Sequence, residues 1–143
     1  SLPVVPTPLL RARHEFADDL VHYGYLPDRM PFEQRIDEAD IVVSTAIQEN
    51  FGMSVIEAVR HGCLPLLPDR LSYPEIMPAD AHSRILYGSP AEMVDKLADM
   101  LLKPAQYLKL RQRLALAMDA FSWENRIGFF DEQLAGMARP GGR

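Results

Sequence analysis

Two glutamates, Glu49 and Glu57, flank Gly52 with seven residues between them. A glycine at the beginning of a helix lets the backbone approach a ligand, because no Cβ stands in the way. The first-turn N–H groups, of Met53 and Ser54, have no partners inside the helix and lie at its positive dipole end. The segment therefore predicts an anion site suited to a diphosphate, with a carboxylate on each side.

The two carboxylates fall in different places and predict different roles. Glu57 lies on the helix face opposite the apolar stripe, about 7 Å from the helix start. A carboxylate there can accept two hydrogen bonds, which suits a ribose diol, and Glu49 in the preceding loop could bind sugar hydroxyls. The alternatives are that Glu57 forms an exposed helix-face pair with Arg60 or His61, and that Glu49 is solvated. The stripe expected to face a sheet is Gly52, Val55, Ile56 and Val59.

The elements that would position these residues alternate between strand and helix. Apolar or β-branched runs predict strands, and helical periodicity predicts the segments between and after them. This order predicts an α/β fold, a Rossmann-like parallel sheet with helices on both faces, whose ligands bind at the carboxyl ends of the strands. The predicted strands are 21–25, 41–45, 63–67 and 84–87; the predicted helices are 9–20, 31–39, 52–61, 90–102, 104–118 and 123–137.

Size and composition are those of one globular domain. The chain has 143 residues, of which 48% are hydrophobic and 24% charged, enough for a core. Its single cysteine, Cys63, indicates no disulfide framework, and no apolar run is long enough to span a bilayer, so we expect a cytoplasmic location. The net charge of −5 disfavours polyanion binding by this domain. The four histidines show no metal-ligand spacing.

The segment from Glu49 to Pro65 resembles the E-x7-E signature of family-four retaining glycosyltransferases of GT-B architecture. Three further stretches fit the same pattern: Tyr23-Gly-Tyr-Leu26, the strand end Ser44-Thr45, and Ser122-Trp123-Glu124. A narrower resemblance, to the tRNA-queuosine mannosyltransferase-like branch, rests on the segments 22–27, 39–45 and 71–78. That branch transfers mannose from GDP-mannose to a modified tRNA base. The resemblance implies that this chain is the C-terminal, donor-binding half of such an enzyme.

The resemblance also implies a role for each matching residue. Glu49 would contact the donor sugar as the catalytic residue, and Glu57 the ribose hydroxyls. Asn50 departs from the glycine that is commonest after the first glutamate. Glu75 could edge the donor site or cap a turn. The implied donor-binding set is Tyr25 and Leu26 at the base, Thr45 at the strand end, Glu49 at the sugar, Phe51, Gly52, Met53 and Ser54 at the phosphates, and Glu57 at the ribose.

Such enzymes retain anomeric configuration and need no protein nucleophile, metal or cofactor. The expected partners are a nucleotide sugar, an N-terminal domain of the same enzyme and, for the narrower branch, a tRNA acceptor. We expect a linker at 1–8, the binding domain at 9–138 without its first strand, and a tail at 139–143. This piece is expected to be inactive alone. The alternative is a non-catalytic Rossmann-like module that binds a nucleotide or a partner.

Overall fold

The computed structural model describes residues 7–48 and 52–121. The chain divides at residue 32 into two compact units. The first unit contains helix α1 (Thr7–Glu15), in which no residue is buried. The predicted linker at 1–8 lies mostly outside the described residues and the tail at 139–143 wholly so, and both remain predictions.

The second unit is built on a sheet of three parallel strands in the order β1-β2-β3. Ile41 pairs with Leu64 across the first ladder, and Leu67 pairs with Leu86 across the second. The parallel α/β sheet predicted from the sequence is confirmed; β1 and β3 are shorter than predicted, and β2 is shifted by one residue. The strands are β1 (Ile41–Val43), β2 (Leu64–Pro68) and β3 (Leu86–Tyr87).

Helices connect the strands and follow the last one. The predicted helix at 90–102 has the predicted bounds, whereas the segment 104–118 divides into a 3-10 turn and a helix. The predicted helix at 123–137 lies outside the described residues. Of the helices in 7–48 and 52–121, none combines the length and apolarity needed to cross a membrane. The helices are α2 (Arg29–Glu38), α3 (Met53–Arg60), α4 (Tyr73–Ile76), α5 (His82–Ile85), α6 (Pro90–Leu102) and α7 (Leu108–Asp119), with 3-10 turns at Ala79–Ala81 and Pro104–Tyr107.

Helix α6 begins where it does because its first turn is capped from both directions. The Ser89 hydroxyl accepts a hydrogen bond from the backbone N–H of Glu92 at 3.2 Å. The Glu92 carboxylate accepts one in return from the N–H of Gly88 at 2.7 Å. Pro90 follows the cap, where its missing N–H removes no helical bond. This reciprocal capping, together with β3, fixes the direction in which the chain leaves the sheet.

The central strand β2 is buried along its whole length, although it contains two prolines. Leu64 donates its N–H to Asp40, and Leu66 accepts from the N–H of Ser44, so the even-numbered residues of β2 bond toward β1. The nitrogen of Pro65 therefore faces the β3 side, where β3 has not yet begun. The nitrogen of Pro68 faces β1 beyond the end of that strand. Pro65 therefore interrupts no ladder, and Pro68 lies just past the end of β1.

Helix α3 packs one face on the sheet, as its periodicity predicted. Val55, Ile56 and Val59 are buried, and Gly52 at the helix start is buried with them. The helix ends at Gly62, which has φ +98° and donates its N–H to the Val59 carbonyl. This left-handed glycine turns the chain directly into β2. The sheet face of the helix and its glycine stop are both confirmed.

The strand predicted at 21–25 is wrong. These residues form irregular backbone, and the Val21 and Tyr25 side chains are exposed, by 77% and 86% respectively. Gly24 has φ +112°, outside the extended region, and the His22 ring bonds to the Gly24 carbonyl at 3.0 Å. The β-prone composition is therefore overridden by a local turn, because a strand needs a hydrogen-bonded neighbour as well as propensity.

Cys63 is expected to resist alkylation in the folded protein. Its side chain is 1% exposed, and burial raises the pKa of the thiol, against an opposing effect from Arg111. Thiolate is the reactive form, so both burial and the raised pKa slow the reaction. We expect iodoacetamide at pH 8 to label Cys63 at least about tenfold more slowly than in urea, measured by mass spectrometry. Equal labelling rates in buffer and urea would contradict this packing.

Candidate functional site

The carboxyl ends of all three strands open into one pocket of about 340 Å³. In a parallel sheet these ends lie at one edge, where α/β proteins bind their ligands. Thr45 from the predicted donor set lines the pocket, beside one basic and one acidic side chain, Arg70 and Asp69. The full lining is Thr45, Ile47, Pro68, Asp69, Arg70, Tyr87, Gly88, Ser89, Pro90 and Met93.

The backbone that follows β1 is held by side chains from the segment that follows β2. The Ser44 and Tyr73 hydroxyl oxygens lie 2.9 Å apart, at hydrogen-bonding distance. Arg70 donates to the Ala46 carbonyl at 3.0 Å, and the Ala46 N–H donates to the Ser44 hydroxyl at 3.3 Å. The entrance to the loop that leads toward α3 is thus fixed to the segment after β2.

Tyr87 completes the β1 ladder with its side chain. Its hydroxyl donates to the Ser44 carbonyl at 2.7 Å. In the ladder that carbonyl would meet the N–H of residue 68, and Pro68 has none. Burial raises the pKa of Tyr87, with Arg70 opposing the shift, so the hydroxyl stays protonated as a donor. The proline of one strand and the tyrosine of the next act together at the pocket wall.

Helix α3 begins at Gly52, whose φ of +75° lies in the left-handed region. A Cβ there would lie 3.1 Å from Tyr73 Cε1 and 3.4 Å from Ile76 Cδ1. Gly52 offers no capping side chain, and Met53 and Ser54 in the first turn are exposed. A helix start without a side-chain cap is the kind of place where backbone N–H groups can bind a phosphate, so the predicted role of this segment stays a prediction.

Glu57 lies one turn further along α3, on a half-buried position. The two residues considered as its helix-face partners both reach other elements. Arg60 bonds to Asp119 of α7 at 3.2 Å, and His61 Nδ1 lies 2.6 Å from Asp37 of α2. These contacts fasten α3 to its neighbours and give Arg60 and His61 structural roles of their own.

Four of the predicted donor-binding residues cannot be compared with this pocket. Glu49 and Phe51 lie outside the described residues, as does Asn50. Tyr25 and Leu26 belong to the first compact unit. Their proposed contacts with sugar, phosphate and base remain predictions. Glu75, whose role was left open, is exposed on the short helix α4, and its N–H bonds to the Ser72 carbonyl.

Sequence reasoning missed three residues of this edge: Arg70, Tyr73 and Tyr87. Their contacts with the β1 exit span 24, 29 and 43 residues of sequence, beyond the reach of periodicity. One local signal was available, because Pro74 follows Tyr73 as Pro90 follows Ser89, marking a helix start. Within the described residues, no cluster of three or more His, Cys, Asp or Glu side chains could hold a metal ion.

A three-stranded parallel sheet with helices packed on it and a pocket at its carboxyl edge is the layout of a Rossmann-like α/β domain. The sequence profile described as "Glycosyl transferases group 1" matches residues 9–117, and the chain belongs to this GT-B family.

The chain is similar to the tRNA-queuosine alpha-mannosyltransferase of Drosophila melanogaster, with 31% identity over 113 residues. The match covers 79% of this chain and 29% of the relative, so the chain spans less than a third of the relative's length. No solved structure matched the chain.

Proposed function

We propose that this chain is the donor-binding half of a retaining glycosyltransferase that moves mannose from GDP-mannose to queuosine in a tRNA. The observation that carries the proposal is that Tyr73 contacts both Ser44, the neighbour of the pocket residue Thr45, and Gly52, at the start of α3. Family membership supports glycosyl transfer, and the similarity to a tRNA-queuosine alpha-mannosyltransferase supports the choice of sugar and acceptor. The acceptor-binding half would belong to the rest of a longer protein.

The donor would lie across this edge in an extended form. The N–H groups of Met53 and Ser54 would bind the diphosphate, because the helix dipole is positive there. Glu57 would accept hydrogen bonds from the ribose hydroxyls, and Glu49 from the sugar hydroxyls. Thr45 and the pocket beyond it would hold one end of the nucleotide sugar.

The proposed reaction needs no covalent bond to the protein. The bond between C1 of mannose and the diphosphate oxygen breaks, and a new bond forms from C1 to the acceptor hydroxyl oxygen on the same face. The proton of that hydroxyl passes to the departing diphosphate, so GDP leaves protonated and charge is balanced. The contribution of this chain is to position the donor and to stabilise the departing negative charge.

The tRNA would be bound chiefly by the N-terminal, acceptor-binding half of the enzyme. Within the described residues, three basic side chains at positions 103, 111 and 113 form ion pairs with acids. Lys103 bonds to Asp99, Arg111 to Asp40 and Arg113 to Asp80, at 2.5, 3.0 and 2.6 Å respectively. The net charge of −5 likewise disfavours the binding of a nucleic acid by this domain.

Glu57→Ala in the full-length enzyme is expected to weaken GDP and GDP-mannose binding by about 1–3 kcal/mol, the size of lost charge-assisted hydrogen bonds. The reason is that the ribose, present in both ligands, loses its carboxylate partner. Saturation-transfer NMR with GDP-mannose, GDP and free mannose would identify the part of the donor that is bound, and calorimetry would give the affinities.

The matched control for this test is Glu38→Ala, which removes the same charge from the exposed surface of α2. It should leave both affinities unchanged. Equal GDP binding by wild type and Glu57→Ala would refute the ribose assignment. Nucleotide binding without any mannose transfer by the full-length enzyme would instead favour a non-catalytic module.

A further inference from the structure

One buried tyrosine joins the two ends of the connection between β1 and α3. The Tyr73 side chain is 0% exposed. Its hydroxyl lies 2.9 Å from the Ser44 hydroxyl at the beginning of the connection. The edge of its ring lies against Gly52 at the end, where a Cβ would come within 3.1 Å. A single rigid side chain therefore spans from the strand exit to the helix start.

The ring cannot easily move from this place. Ile76 packs beside it against Gly52, and the chain enters α4 through Leu71, which has φ +62°. A leucine in the left-handed region is strained and persists only where the surrounding structure enforces it. Tyr73 thus lies between a strained turn at Leu71 and the packed side chain of Ile76, both in its own segment.

We propose that Tyr73 is a positioning residue, which sets the distance between the strand-end pocket and the N–H groups at the start of α3. This inference rests on the proposed donor site, since a nucleotide sugar would have to contact both places at once. Ser44 precedes the pocket residue Thr45, and Gly52 precedes the helix N–H groups of Met53 and Ser54. The hydrogen bond between Ser44 and Tyr73 fixes one half of this arrangement, and the packing of the ring on Gly52 fixes the other.

Tyr73→Phe removes the hydroxyl and keeps the ring on Gly52. In the full-length enzyme, we expect it to weaken GDP-mannose binding about three- to tenfold, the scale of one lost hydrogen bond. Amide hydrogen exchange at Ala46 and Gly52 should rise by a similar factor. Ser44→Ala should have at least the same effect, and the double variant should be no worse than Ser44→Ala alone, because both changes break one bond.

The matched control is Tyr107→Phe. Tyr107 is also buried, and its hydroxyl donates to Asp99 at 2.7 Å, on the 3-10 turn before α7. Its substitution should lower stability as Tyr73→Phe does, without changing GDP-mannose affinity or exchange at Ala46 and Gly52.

The outcomes separate this inference from the proposed function. The positioning role would be overturned if Tyr73→Phe and Tyr107→Phe changed amide exchange at Ala46 and Gly52 equally. It would also be overturned if the losses of GDP-mannose affinity in Ser44→Ala and Tyr73→Phe were additive. Altered exchange with unaltered GDP-mannose affinity would overturn it as well. A wild-type enzyme that binds no GDP-mannose would refute the donor function, and the exchange measurements would still decide whether Tyr73 couples the two ends.

Discussion

Full-length enzyme carrying Glu49→Ala is expected to transfer mannose at least about 100-fold more slowly than wild type, the scale of one lost transition-state contact. GDP affinity should change by less than about threefold, since the proposed partner of Glu49 is the sugar, which GDP lacks. A hydrogen bond to the sugar that strengthens as C1 becomes positive acts on kcat and little on ground-state binding. Transfer would be measured with labelled GDP-mannose and tRNA that contains queuosine.

Gln48→Ala is the matched control, because it truncates the exposed neighbouring side chain and leaves the carboxylate in place. It should retain nearly full activity. The proposed contact between Glu49 and the sugar is refuted if Glu49→Ala lowers GDP affinity as much as it lowers transfer. Equal losses would mean that Glu49 binds the nucleotide, in the ground state and the transition state alike.

Gly52→Ala is expected to lower the free energy of unfolding by about 2–4 kcal/mol. One part of this loss comes from backbone strain, because an alanine is unfavourable in the left-handed conformation of this position. The other part is the new Cβ, which would lie 3.1 Å from the buried ring of Tyr73. The change can be measured in the full-length enzyme by urea titration, with hydrogen exchange followed at the amides of β2.

Gly62→Ala separates the two parts. Gly62 has φ +98°, and a Cβ there would meet no atom within 4 Å. This variant should therefore show the backbone strain alone, about 1–2 kcal/mol. If both substitutions cost the same, the close approach of Tyr73 to Gly52 contributes nothing to stability.

The sequence was sufficient to predict the elements whose signals are local. The β-branched run Ile41–Val43 is a strand because its side chains suit a pleated, half-buried surface, and the structure leaves Val43 41% exposed. Helix α6 has the predicted bounds because Ser89 and Pro90 mark its start. The buried stripe of α3 followed from helical periodicity, and Gly62 from the need for a left-handed residue after the helix.

The parts that could not be predicted depend on contacts between distant segments. Residues 21–25 have strand composition, but a local turn at Gly24 prevents a ladder. The short helix α4 carries little periodicity, so nothing local marked Tyr73 as the link between Ser44 and Gly52. Of the residues that line the observed pocket, the sequence pointed only to Thr45, whereas the others include the ends of β2 and β3.

Pro68 limits how far the ladder between β1 and β2 can extend toward the strand-end pocket. Because this residue has no N–H, the main-chain rung that would follow Ser44 is absent, and the Tyr87 hydroxyl takes its place. The chain is released from the ladder there, which leaves Thr45 and Ile47 to line the pocket. A longer sheet would therefore leave a smaller pocket at this edge. With an N–H at position 68, the ladder could extend past Ser44 only if residues that now line the pocket paired with β2.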